Sequence, residues 1–272
     1  STYTNSTGTK DAYVSTCLSA DVDIQILGGS VITSSSGSAG KGFSCDSELL
    51  VGTATTSPVI QITTTGSTIY ISGSGNNASY AEAKAVKSDG DATIENGTIT
   101  ISSADDGIKS ETAVTINGGV ININNSVEGI EAPFITLNEG DVHITSTDDC
   151  INATFGNGGE TNDGSLFKVT GGYLAVNTTG GDGLDSNGDI LMTGGTVVVH
   201  GPPSAPEVGM DYNGSCNVNG GFMAISGPGS MMLQAPSTTS QQYSLKITTN
   251  QQLSATTLFH IQDASGNDVL TF

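Results

Sequence analysis

The sequence predicts an all-β fold, a right-handed parallel β-helix (solenoid) of about eight turns with a C-terminal cap. Three observations predict it: a five-residue pattern that returns about every 22 residues, period-two alternation of hydrophobes between its copies, and glycines where the alternating runs stop.

The pattern is a variable residue, a small residue, a hydrophobe, a second variable residue and then, in most copies, Ser or Ala. It reads Thr16-Cys17-Leu18-Ser19-Ala20, Lys41-Gly42-Phe43-Ser44-Cys45, Lys84-Ala85-Val86-Lys87-Ser88 and Asp106-Gly107-Ile108-Lys109-Ser110. It continues as Glu128-Gly129-Ile130-Glu131-Ala132, Asp149-Cys150-Ile151-Asn152-Ala153, Asp182-Gly183-Leu184-Asp185-Ser186 and the looser Val208-Gly209-Met210-Asp211-Tyr212. Val86, Ile108 and Ile130 follow one another at 22 residues and Ile151 comes 21 later, the length of one turn of a parallel stack. Phe43 to Val86 takes 43 residues and Ile151 to Leu184 takes 33, which predicts insertions near residues 53–65 and 154–165.

Two further strands complete each turn. One alternates toward a glycine corner, as in Val114 and Ile116 before Gly118-Gly119, or Phe167 and Val169 before Gly171-Gly172. The next alternates again: Ile99 and Ile101, Ile121 and Ile123, Val142 and Ile144, Leu174 and Val176, Val197 and Val199. Alternation puts these side chains on one face, and glycine accepts the positive φ of a sharp corner. The outward column of this strand is expected to read Tyr70, Thr100, Asn122, His143, Ala175, Val198. Residues 221–226 read as a last rung. Residues 1–240 are thus expected to form the stack, and residues 241–272 capping strands of the same domain. Cys216 falls on an inward position, while Cys17 and Cys45 lie in adjacent turns where a disulfide is open to them.

The chain has 7 Lys+Arg, all lysine, against 27 Asp+Glu, a formal net charge of −20. Without clustered cations or an arginine fork, no nucleic-acid partner is expected. No stretch of 18 apolar residues is present, so no transmembrane segment is expected. The opening STYTNSTGTK reads as a trimmed N-terminus, from which a secreted or cell-surface location is inferred. A monomer is expected.

The acids are not scattered. The first residue of the pattern runs Thr16, Lys41, Lys84, Asp106, Glu128, Asp149, Asp182, Val208, and the fourth runs Ser19, Ser44, Lys87, Lys109, Glu131, Asn152, Asp185, Asp211. Both columns turn acidic in the same direction, and Asp105 and Asp148 precede two of the corners. Two bare carboxylates one turn apart repel by roughly 1 kcal/mol in water and more when shielded. Either the edge is simply solvated, or a hard cation neutralises it. Calcium takes six to eight oxygens in irregular geometry, whereas magnesium demands an octahedron. Lys84, Lys87 and Lys109 stand beside the acids, either as charge partners for Asp106 and Glu128 or as contacts for an anionic sugar.

The strings SADDGIKSE, SVEGIEA, STDDCINA and GDGLDSNGD resemble a family of bacterial cell-surface β-helix proteins that bind cellulose and acidic sugars such as polygalacturonate and carry structural calcium. The resemblance runs from about residue 16 to the C-terminal LFHIQDASGNDVLTF, with Cys150 standing where the corner glycine is usual. It implies calcium ligation by Asp106, Glu128, Glu131, Asp149, Asn152, Asp182 and Asp185. The column argument adds Asp105, Asp148 and Asp211. That family is similar in architecture to calcium-dependent pectate lyases, some with a lysine base.

Three functions compete. The first is a non-catalytic, calcium-dependent module for acidic plant polysaccharide (polygalacturonate or pectin) and cellulose, with Lys84, Lys87 and Lys109 as sugar contacts. The second is a polysaccharide lyase with Lys87 or Lys109 as base, which needs a neutral lysine among carboxylates that favour its charged form. The third is a structural adhesin. The histidines do not cluster, and no Ser-His-Asp arrangement is readable.

Overall fold

The computed structural model describes residues 1–272 apart from 157, 160, 255 and 256 and the side chain of Asn76. The chain is all-β, with one short 3-10 helix (Gly75–Asn77) among the described residues. The five-residue pattern forms an eight-stranded parallel sheet: Leu18–Ala20, Phe43–Cys45, Val86–Ser88, Ile108–Ser110, Ile130–Ala132, Ile151–Ala153, Leu184–Ser186 and Met210–Tyr212. Its register aligns the pattern's hydrophobes. Val86 sits between Phe43 and Ile108, Ile130 between Ile108 and Ile151, and Leu184 between Ile151 and Met210.

The other two strands of each repeat also pair in parallel with their counterparts in the next. Ala92–Ile94, Ala113–Ile116, Phe134–Leu137 and Leu166–Val169 follow one another, as do Thr98–Ser102, Val120–Asn125, Asp141–Ser146 and Tyr173–Thr178. Both sets run into the long strand Asp189–His200, whose last partner is Cys216–Ser226. Residues 221–226 thus form the last rung that the alternation predicts.

One continuous cluster of Ile, Val, Leu, Phe, Met, Ala and Cys side chains from all three strand sets makes the core. No repeat could bury these residues alone. Burying one such side chain contributes about 1.5–3 kcal/mol. Ile123 is 1% exposed in mid-stack, so Ile123→Ala is expected to cost about 2–5 kcal/mol in a urea melt. A cost under about 1 kcal/mol would place this column outside the core.

Small residues follow from close approach. A Cβ on Gly129 would overlap the Cys150 carbonyl and the Ile144 side chain, although its φ is not positive. Gly119, with φ +90, is instead a corner that L side chains rarely adopt. The Ser at the end of the pattern points inward and satisfies a corner carbonyl: Ser88 Oγ donates to Ser47 O at 2.6 Å and Ser110 Oγ to Gly90 O at 2.8 Å. Buried hydroxyls are tolerated only when bonded in this way.

Two expectations need correction. The first insertion does not fill 53–65, because Val59–Thr64 is a regular strand of the stack. The extra chain is mainly the antiparallel hairpin of Ile69–Ser72 and Ser79–Ala81. Tyr70 belongs to that hairpin, and Gln61 takes its place opposite Thr100. Cys17 and Cys45 form no disulfide: all four cysteines are free, and Cys216 is buried as expected. Residues before 241 also run along the outer edge of the last strands. Gln234 exchanges hydrogen bonds with the Tyr212 backbone (2.9 and 3.0 Å), and Ser237 and Ser240 bond the backbones of Cys216 and Val218. Beyond it, His260–Gln262 pairs antiparallel with Asp268–Thr271. The second insertion does lie between Ile151–Ala153 and Leu166–Val169. No helix among the described residues is long and apolar enough to cross a membrane.

Candidate metal centre

The register of the first sheet converts the two sequence columns into two rows on one edge. Backbone ladders align the first row: Ala85 N–H donates to Asp106 O, Gly107 N–H to Glu128 O, Gly129 N–H to Asp149 O and Cys150 N–H to Asp182 O, all at 2.9–3.1 Å. The second row is in direct register, Lys87, Lys109, Glu131, Asn152, Asp185 and Asp211 facing one another in succession.

Two groups of carboxylates result. In Asp106, Glu128 and Glu131, and again in Asp182, Asp185 and Asp211, one oxygen from each residue lies within 4.8 Å of the others. Asp149 and Asn152 occupy the repeat between them. Asp149 accepts the Asp182 N–H at 2.6 Å, and Asp182 accepts the Val208 N–H.

Burial raises these acids. It pushes Asp149 to about 8, with Asp185 adding to it, and Asp182 to about 7, with Asp211 and Glu207 adding to it against the Val208 hydrogen bond. Glu128 is driven well above the carboxylate range by burial and by Glu131, Asp106 and Asp149. Asp106 is raised by burial while Lys84 draws it down. Carboxyls in this state release a proton when a cation arrives.

The donor set fits a hard cation. It is all oxygen, without His or Cys, which suits calcium or magnesium rather than a transition metal. Among the described residues, Asn152 Oδ1 and Glu128 Oε2 are buried with no hydrogen-bond partner. Asn152 is only 9% exposed, and an orphaned buried acceptor costs about 1–3 kcal/mol. Asn152 stands in register between Glu131 and Asp185, where a cation held on this edge would satisfy it.

The remaining expected residues fall apart into separate roles. Asp105 is drawn to Lys84 at 2.5 Å, and Asp148 is exposed at its corner; neither joins the two groups. The three lysines are ion-paired. Lys84 meets Glu82 (2.8 Å), Asp105 and Asp106 (2.5 Å each), Lys87 meets Asp89 and Glu111, and Lys109 meets Glu131 rather than Glu128. Burial opposes the charge of Lys84 and Lys87, yet these acids hold both above the usual lysine range. In neither row does a lysine neighbour Asp182, Asp185 or Asp211, so this second group is the more strongly anionic.

Lys41 was passed over. It stands before Lys84 in the first row, half-buried, and among the described residues it makes no ion pair. Burial and the nearby Lys87 and Lys84 hold its ammonium below the usual range. The signal was present in the sequence, since no acid flanks it in either column.

Residues 7–129, under half of the chain, match a family model described as carbohydrate-binding domain-containing protein. Comparison with curated proteins and with solved structures found no match.

Proposed function

We propose that the chain winds as a right-handed parallel β-helix, capped by residues that include 241–272, and that its acidic edge holds calcium and, through calcium, an acidic polysaccharide outside the cell or at its surface. The observation that carries this reading is the buried, unpartnered Asn152 Oδ1 between two carboxylate groups on one edge. The carbohydrate-binding family model adds support for a sugar as the partner.

The residues act as follows. Asp182, Asp185 and Asp211 supply one oxygen set, Glu128, Glu131 and Asp106 the other, and Asp149 and Asn152 bridge them. Bound calcium would supply positive charge that a uronate carboxylate can share. Lys41 offers a cation to the same carboxylate ladder, whereas Lys84, Lys87 and Lys109 chiefly balance their own acids. The lyase reading is less favoured, because Lys87 is held in its charged form and Lys109 is engaged in an ion pair with Glu131, whereas a β-elimination base must be neutral and free to take a proton.

Calcium affinity tests the edge. Glu128→Ala and Asp149→Ala are expected to weaken it by about tenfold or more in a calorimetric titration, since each removes a charged ligand. Asp23→Ala and Asp268→Ala, exposed and outside the rows, should leave it unchanged. Equal losses at all four positions would mean general charge rather than a site.

A further inference from the structure

We propose that this chain joins end to end with copies of itself rather than remaining a monomer, residues 244–249 of one copy pairing as a strand with the open first repeat of the next. Two features of the chain lack a partner, and each fits the other: an open sheet edge and a strand sequence that is paired with nothing.

The open edge is the first repeat. Leu18–Ala20 ends the eight-stranded sheet, and Ile24–Ile26 and Ser30–Ser35 are the two ends of the larger one. Among the described residues no strand pairs with their far edges. The N-terminal hairpin of Thr2–Thr4 and Lys10–Ala12 packs on Ile69–Ser72 instead. The core is open here too: Leu18 is 38% exposed, although Phe43 opposite it is buried. Such an edge holds backbone donors and acceptors that water or another strand must satisfy. At the other end of the stack, Gln234, Ser237 and Ser240 already bond the backbones of the last strands.

The unpaired strand sequence is Ser244-Leu245-Lys246-Ile247-Thr248-Thr249. Its order of hydrophobe, variable residue, hydrophobe, variable residue and Ser or Thr is that of one strand of the stack. Val59–Thr64 buries Ile60, Ile62 and Thr64, Asp141–Ser146 buries Val142, Ile144 and Ser146, and Tyr173–Thr178 buries Leu174, Val176 and Thr178. Residues 247–249 repeat Ile62-Thr63-Thr64 outright. Yet 244–249 form no strand, and Leu245 and Ile247 are 72% and 48% exposed. Ser30–Ser35 begins this same column, with Val31, Thr33 and Ser35 in register with Ile60, Ile62 and Thr64. A strand of residues 244–249 set parallel to it continues the column by one step, with Leu245, Ile247 and Thr249 inward.

The occupant is a second copy, because the segment cannot reach its own first repeat. Gln242 N–H bonds Val218 O in the last strand. Seven strand steps separate that strand from Ser30–Ser35, which is about 34 Å. The three residues from Gln242 to Leu245 span at most about 11 Å. Charge favours the same head-to-tail pairing. Residues 241–262 contain Lys246 and no acid, whereas residues 11–40 contain Asp11, Asp21 and Asp23 and no lysine. Two first repeats facing each other would instead set these acids against their own copies. A head-to-tail contact along the stack axis does not close, so it yields chains of copies rather than a fixed dimer.

Sedimentation velocity on the intact chain at rising concentration tests it, in EDTA so that no cation can bridge acidic edges. Dimer, trimer and longer species should appear in turn. Leu245→Asp with Ile247→Asp changes only exposed positions, so the melting temperature should stay as in the parent while self-association weakens by about tenfold or more. Val31→Lys, which points a charge inward at the open edge, should weaken it from the other side. Mixing the two variants separates head-to-tail from head-to-head contact: the intact strand of the Val31→Lys chain should pair with the intact edge of the other, giving a dimer that grows no further. A parent that stays monomeric up to about 1 mM, undiminished association in the Leu245→Asp, Ile247→Asp variant, or a mixture without that dimer would each overturn the proposal.

Discussion

Exhaustive chelation is expected to lower the melting temperature of this protein by about 5–10 °C for each calcium site lost, with calcium restoring it more fully than magnesium. A ligand present at a hundred times its Kd stabilises by about 2.7 kcal/mol, and 1 kcal/mol moves Tm by about 2–4 °C at this chain length. The pH dependence should change with it. Asp149 is raised to about 8 and Asp182 to about 7 by burial and neighbouring acids, against about 3.9 for an unfolded Asp. Between about pH 4 and pH 8 the cation-free folded chain therefore holds more protons than the unfolded one. Stability must then fall as pH rises through that window. Calcium favours the ionised carboxylates and should flatten the slope. Melts in EDTA at several pH values read both effects. An unchanged Tm after chelation, together with a flat pH profile in EDTA, would remove the edge as a cation site.

The second large effect concerns Asp182, Asp185 and Asp211. Replacing all three by Asn keeps volume and hydrogen-bonding capacity while removing three negative charges held within 4.8 Å of one another. In EDTA the triple variant should melt higher than the parent, because the repulsion is gone. In calcium the order should reverse. Binding of polygalacturonate in calcium should fall by more than about tenfold, since several weak contacts along one chain act together. Short oligomers should bind less well than long chains, and no unsaturated uronide should accumulate with either protein. Steady release of unsaturated product by the parent, abolished in Lys41→Ala, Lys87→Ala or Lys109→Ala, would make the protein a lyase.

The parallel strands and their register were legible because burial has period two and each copy of the pattern carries one inward hydrophobe. Ile108, Ile130 and Ile151 fall opposite one another as their spacing predicts. The inserted hairpin was not legible. Ile69 and Ile71 alternate and Gly73 follows, as in a strand of the stack; only the competing run Ile60 and Ile62 decides which is in register. The edge segment at 234–242 acts through Gln and Ser side chains, which carry no periodicity. At the candidate centre both columns could be read, but their partition could not. Lys84 reaches forward to Asp105 and Asp106 of the next repeat, while Asp148 turns outward although its neighbour Asp149 does not. Such choices depend on side-chain reach across repeats.

The repeats have a metric consequence. Corresponding residues lie one strand spacing apart, about 4.8 Å, so separations along the edge change only in whole steps. The repeat bearing Asp149 and Asn152 is the interval between the two carboxylate groups. Duplicating it would move them one step further apart and leave each unchanged; deleting it would fuse them. Point substitution can alter the sign or strength of a charge on this edge but not its interval. On the proposed reading, a polymer whose own charges recur at another interval would drift out of phase after a few units, and the edge would discriminate by spacing as well as by charge.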